Sequence, residues 1–125
     1  METVLRYWSK FDGFRNICDV GTIEATPLPQ PSRAEIRIEA VLAALADPVR
    51  LDVVRVLAGY PEGIACGEVA LTVSPSTRTH HLRILREAGV ISTVAVGTRK
   101  ISSLRRDDLD ALFPGLLGGV LAATR

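Results

Sequence analysis

Cysteine is scarce in this chain of 125 residues: Cys18 and Cys66 are the only two, and they lie far apart. That pattern excludes a disulfide framework and a paired-cysteine zinc site. Aromatic residues are also few, and Tyr7, Trp8, Phe11 and Phe14 fall within the first fourteen positions. No apolar run approaches the roughly 20 residues of a membrane span. The most apolar stretch, near the C-terminus, is broken by Pro114, Gly115, Gly118 and Gly119. The opening residues include Glu2, Arg6, Lys10 and Asp12, so the continuous apolar segment of a secretory leader is missing and a cytoplasmic location is expected. No serine, cysteine or paired-acid constellation sits in a recognisable turn or glycine-rich loop, so neither catalysis nor a cofactor is expected.

The chain does have apolar mass: 47% hydrophobic residues against 23% charged ones is a globular balance, and the length suits one domain. The net charge of +1 conceals segregation. Residues 78–106 hold seven basic side chains, Arg78, Arg83, Arg86, Arg99, Lys100, Arg105 and Arg106, against one acidic, Glu87. Residues 34–77 hold three basic and six acidic ones. A local excess of this size suits a polyanion, although a solvated face has the same composition.

Residues 1–31 differ in character from the remainder of the chain, with an aromatic stripe at helical spacing and then Pro27, Pro29 and Pro31. They are expected to form an arm and an extended linker ahead of a domain over 32–125. The stripe suits packing, an added helix at a dimer surface, or one wall of an effector cavity. Ser32 and Glu35 have capping-box spacing and predict a helix over 33–46 with Ile38, Val41, Leu42 and Leu45 on its apolar stripe. Asp47 and Pro48 restart a helix lined by Leu51, Val54 and Leu57, which Gly59 and Pro61 end. Residues 65–72 are expected to make two helical turns with Val69, Ala70 and Leu71 inward. Ser74 and Pro75 then start a helix carried by Leu82, Leu85 and Ala88 to Gly89. Next come a strand over 90–96, a two-residue turn at Gly97 and Thr98, and a return strand over 101–104. The last stripe, Leu109, Leu112, Phe113, Leu116, Leu117, Val120 and Leu121, is helical, and Pro114 should kink or split it.

This order predicts a mainly α fold with a small β-hairpin, a winged helix-turn-helix that dimerises through its terminal helices. The N-terminal half of the helix after Ser74 would then face double-stranded DNA, bringing Ser76, Thr77, Arg78, Thr79 and His80 to base edges, with Arg83 one turn later. Arg99 and Lys100 would reach the backbone from the hairpin tip. Adjacent His80 and His81 point about 100° apart on a helix and cannot easily share a metal. A winged-helix module whose basic face meets an acidic protein, with no operator, is the alternative.

Three segments carry a family resemblance: LAALADPVRLDVVRVL at 42–57, SPSTRTHHLRILREAGVI at 74–91 and GTRK at 97–100. Over residues 38–121 the chain resembles the ArsR-like bacterial repressors. The resemblance implies a homodimer, operator binding and often an inducer, which here would be a small-molecule effector. It places Val41 and Leu45 on the first helix, with Leu109, Leu112, Phe113, Leu116, Leu117, Val120 and Leu121 on the last, at the dimer interface. Arg78 stands where many members have a small or apolar residue, so it either points to DNA or braces the helix pair. The family's metal ligands are missing: Ala65, Cys66 and Gly67 replace a Cys-x-Cys pair, and Asp108 is followed by Gly119 and Ala122 in place of the later ligands. Metal sensing is therefore not expected. Cys66 remains as one thiol, either a small buried filler or a group open to oxidation.

Overall fold

The computed structural model describes residues 25–124 with the exception of Ala70. The aromatic stripe from Tyr7 to Phe14, Cys18 and the inward position expected of Ala70 lie outside the described residues. Five helices and a four-stranded antiparallel sheet make up the described part, in the chain order β1 (Ala25–Pro27), α1 (Ile38–Leu45), α2 (Pro48–Ala58), β2 (Ile64–Ala65), α3 (Pro75–Ala88), β3 (Ile91–Val96), β4 (Arg99–Leu104), α4 (Arg106–Leu112), α5 (Leu116–Ala122). This is a winged helix-turn-helix. Among the described residues no helix is long and apolar enough to cross a membrane.

The capping-box signal at Ser32 is used, but on a single 3-10 turn, Arg33–Glu35, where the Ser32 amide donates to Glu35 Oε1 at 2.9 Å. Ile36 and Arg37 then run extended, and α1 starts only at Ile38. The interruption has a packing cause. Extended backbone at Ile36 turns its side chain into the core over Gly89, which a continuous helix from Arg33 would prevent. Within α1 the buried positions are Val41, Ala44 and Leu45, whereas Ile38 and Leu42, expected on the same stripe, are 38% and 50% exposed.

Asp47 caps α2 by accepting from the amides of Val49 and Arg50 at 2.8 and 3.1 Å, with Pro48 in the first turn. Val53, Val54 and Leu57 are buried and Leu51 is half-buried. The two helical turns expected over 65–72 do not form. Ile64 and Ala65 pair instead with Ser102 and Ile101 of β4, and Cys66–Glu68 is a 3-10 turn. A segment this short containing Gly67 cannot meet the nucleation cost of a helix, and the sheet edge offers its backbone better partners. Val69 is buried and Leu71 half-buried, so the inward direction of those two side chains is retained.

The hairpin of β3 and β4 turns at Gly97 (φ +60°) and Thr98, with Val96 opposite Arg99. It is wider than expected because both edges are covered. β1 pairs with β3 in the register Ala25 to Val96 and Pro27 to Val94, so the segment expected as linker becomes an edge strand with Ala25 level with the hairpin tip. A proline there suits an edge, where a missing N–H breaks no ladder. Pro114 splits the last helix: α4 ends at Leu112, Gly115 adopts φ +85°, and α5 begins at Leu116. The core joins the helices to the sheet through Val41, Leu45, Val54, Leu57, Leu82, Leu85, Ile91, Leu109 and Leu117.

Candidate nucleic-acid interface

Helix α3 presents its polar face because its first turn is locked locally. Ser74 accepts from the Thr77 amide at 3.3 Å and its hydroxyl donates to Thr77 Oγ1 at 2.9 Å. The Thr79 hydroxyl donates back to the Pro75 carbonyl at 3.0 Å. Leu82, Leu85 and Ala88 fix the opposite face in the core. Ser76, Thr79, His80 and Arg83 are exposed. Their spacing of three, four and seven puts all four on one stripe. Arg83 Nη2 lies 3.5 Å from His80 Nδ1, which couples the two side chains on that stripe.

Thr77 and Arg78, expected with the same group, are half-buried and serve the fold. At about 100° per residue, Arg78 lies about 200° from Ser76, on the far side of the helix. Its guanidinium donates to the Val69 carbonyl at 3.3 Å and so braces the segment that precedes the helix. Of the two orientations left open for Arg78, the inward one is observed. The spacing rule alone could have indicated it. His81 is likewise turned inward, where Arg50 Nη1 donates to its Nδ1 at 3.3 Å and ties α2 to α3. The same Arg50 reaches the Ala43 and Ala44 carbonyls and so joins the C-terminal end of α1, the first turn of α2 and the middle of α3 around one side chain. The rings of His80 and His81, 5.7 Å apart and tilted by 58°, go to different partners.

Arg99 and Lys100 are exposed beside the hairpin turn. Arg99 Nη2 pairs with Glu68 Oε1 at 3.2 Å, an exposed ion pair that lowers the positive field of the tip at little gain in stability. Part of the cationic cluster of residues 78–106 is engaged within the fold. Arg78 is bound to Val69, Arg86 Nε donates to the Pro29 carbonyl at 3.1 Å, and Arg105 donates to the Pro31 carbonyl. Arg83, Arg99, Lys100 and Arg106 remain exposed. Sequence composition counts charges but does not reveal which guanidiniums are occupied by carbonyl groups.

Asp108, the residue aligned with a metal-ligand position, is held by Arg33 Nε at 2.6 Å and Arg105 Nε at 2.9 Å. Burial works to raise its carboxyl, but the hydrogen bonds and charges of Arg33 and Arg105 prevail and hold it below the ordinary aspartate value. Asp47 is lowered too, chiefly by the Arg50 amide, which favours its charged form. Cys66 is half-buried, and its Sγ lies 3.1 Å from Ser102 Oγ, which in turn lies 2.9 Å from Thr93 Oγ1. It opens a three-residue 3-10 turn and no α-helix. Of the residues expected at a dimer interface, Val41, Leu45, Leu109 and Leu117 are buried in the chain's own core and have little exposed surface. Leu112, Phe113, Leu116, Val120 and Leu121 are half-buried at its margin.

Residues 45–94, from the end of α1 to the middle of β3, match the family model described as a helix-turn-helix domain. A Bacillus subtilis (strain 168) protein named as the uncharacterized HTH-type transcriptional regulator YceK is 34% identical over 79 residues, which is 62% of this chain and 79% of that protein. The chain belongs to the family of helix-turn-helix transcriptional regulators.

Proposed function

We propose that this chain is a sequence-specific DNA-binding repressor of the ArsR-like type, acting as a cytoplasmic homodimer on a palindromic operator and not by catalysis. The observation that carries the reading is the outward stripe of Ser76, Thr79, His80 and Arg83 on a capped helix, accompanied by a hairpin tipped with Arg99 and Lys100. Hydroxyl, imidazole and guanidinium groups at that spacing can read base edges in a major groove, and the tip cations suit phosphates. Thr77 and Arg78 act behind the stripe by fixing its first turns.

The dimer rests on two apolar surfaces, the half-buried residues Leu112, Phe113, Leu116, Val120 and Leu121 of the last two helices and the outward Ile38 and Leu42 of α1. The body that binds DNA spans 32–125, with the last residues of the arm, 25–31, stitched to it. Metal is not the signal in this reading. Asp108 is engaged by two arginines, and Cys66 contacts a serine hydroxyl. The effector is an organic small molecule or is absent.

Selection from random duplexes tests the reading. The expected result is a palindromic consensus with half-sites about one helical turn, roughly 34–36 Å, apart. Sedimentation should give about 27 kDa, twice the 13.5 kDa chain. No preferred duplex, together with affinity for acidic proteins, would replace the repressor with a protein-interaction module. A clean monomer at micromolar concentration would remove the dimer and the palindrome.

A further inference from the structure

The segment from Ala25 to Ile36 touches both α3 and the wing, and it lies outside the motifs that carry the family resemblance. Along the wing, β1 pairs with β3 as far as Pro27, and the pairing then continues by other means. The Leu28 amide donates to the Thr93 carbonyl at 3.0 Å, and the Thr93 amide donates to Gln30 Oε1 at 2.9 Å. A side-chain oxygen thus completes a ladder that the backbone has left, and it satisfies an amide that would otherwise lose its partner. At the recognition helix, Arg86 Nε donates to the Pro29 carbonyl at 3.1 Å. Pro31 and Ile36 lie over Gly89, the residue at which α3 gives way to the wing. Beyond it, Arg33 and Arg105 join the segment to α4 through Asp108.

We propose that residues 25–36 form a strap that fixes the angle between the recognition helix and the wing, with Arg86 and Gln30 as its positioning residues, so that Arg86 acts on DNA recognition without touching phosphate. This rests on the DNA-binding reading above. The lever arm makes the angle matter: Ser76 is thirteen residues from Gly89, roughly 20 Å along a helix, so a rotation of about 5° at Gly89 moves it by about 1.7 Å. Hydrogen bonds to base edges tolerate only a few tenths of an ångström. Backbone phosphates, contacted by long flexible cations, tolerate more. Loss of the strap therefore weakens specific binding and spares non-specific binding.

The test uses the full chain with Arg86→Ala, Gln30→Ala, the double variant and Gln30→Glu. Each is measured against the selected operator and a scrambled duplex over a salt series, with thermal melts to confirm folding. The expected result is about a tenfold loss on the operator for either alanine variant, with no loss on the scrambled duplex and an unchanged salt slope. The double variant should lose no more than the singles, because both act through one strap. Gln30→Glu, which keeps the oxygen that the Thr93 amide needs, should restore the preference. If Arg86→Ala weakens both duplexes alike and reduces the slope of log K against log salt by about 0.9, it is a phosphate contact and the proposal falls. Equal proportional losses on both duplexes would mean mere destabilisation and would also overturn it, as would variants that match the wild type. A wild-type protein with no preferred duplex removes the DNA reading itself, an outcome distinct from strap failure, in which the wild type prefers its operator.

Discussion

Gly89→Ala is the substitution whose cost the structure sets most directly. Gly89 ends α3 with φ +88° and ψ 12°. Its amide donates to the Arg86 carbonyl at 3.1 Å and the Val90 amide to the Leu85 carbonyl at 3.0 Å, the paired bonds of a Schellman ending. An alanine there bears a left-handed backbone penalty of about 1–2 kcal/mol. Its Cβ would also lie 2.5 and 2.9 Å from Cγ1 and Cδ1 of Ile36 and 3.3 Å from Cγ of Pro31. Ile36 is only 8% exposed and cannot swing aside freely, so overpacking adds about 1–3 kcal/mol. Gly97, at φ +60° with no atom within 4 Å of a built Cβ, has the backbone penalty alone. At about 3–5 °C per kcal/mol for a domain of this size, Gly97→Ala should lower the midpoint of a circular-dichroism melt by about 5 °C and Gly89→Ala by about 10 °C or more. Ile36→Ala should then cost less in the Gly89→Ala background than in the wild type, because it removes the clash. Equal shifts for the two glycines, or no coupling with Ile36, would refute the close approach.

Three further outcomes are expected at the site. The charged form of Asp108 is favoured in the fold, so its contribution is present above the unfolded aspartate value near 3.8 and is lost as pH falls through the lower folded value. An acid titration of stability should show this component in the wild type and not in Asp108→Asn, and parallel curves would exclude it. Arg78→Ala removes the bond to the Val69 carbonyl and should cost about 1 kcal/mol of stability, weakening operator binding without altering base preference at any single position; a preference change at one base would return Arg78 to the groove. Lys100→Ala should reduce the salt slope by about 0.9, whereas Glu68→Gln, which frees Arg99, should strengthen binding to every duplex. A salt series with both variants checks the pair, and weaker binding by Glu68→Gln would contradict it.

The elements legible in the sequence are those whose signals are local. Asp47 with Pro48, Ser74 with Pro75, Gly89, Gly97 and Pro114 each act within a few residues of themselves, and each marks a boundary that the structure keeps. The outward stripe of α3 comes from the same arithmetic. Thr77 and Arg78, expected with that stripe, are half-buried instead, and the rotation of about 100° per residue sets them apart from Ser76.

What the sequence did not reveal depends on partners far along the chain. A two-residue strand such as Ile64–Ala65 has no periodicity to detect, and its identity comes wholly from β4, almost forty positions later. The proline-rich segment is compatible with a free linker until Thr93, Arg86 and Arg105 supply partners for Leu28, Pro29, Gln30 and Pro31. The same distance effect governs charge. An arginine reads as surface cation in a composition, but Arg78, Arg86 and Arg105 each donate to a backbone carbonyl outside their own helix. A guanidinium offers five donors, so carbonyl groups left open by loops are natural partners for it. The basic cluster thus does two kinds of chemistry. Part of it closes the fold around α3, and the remainder, Arg83, Arg99, Lys100 and Arg106, is exposed to any polyanion.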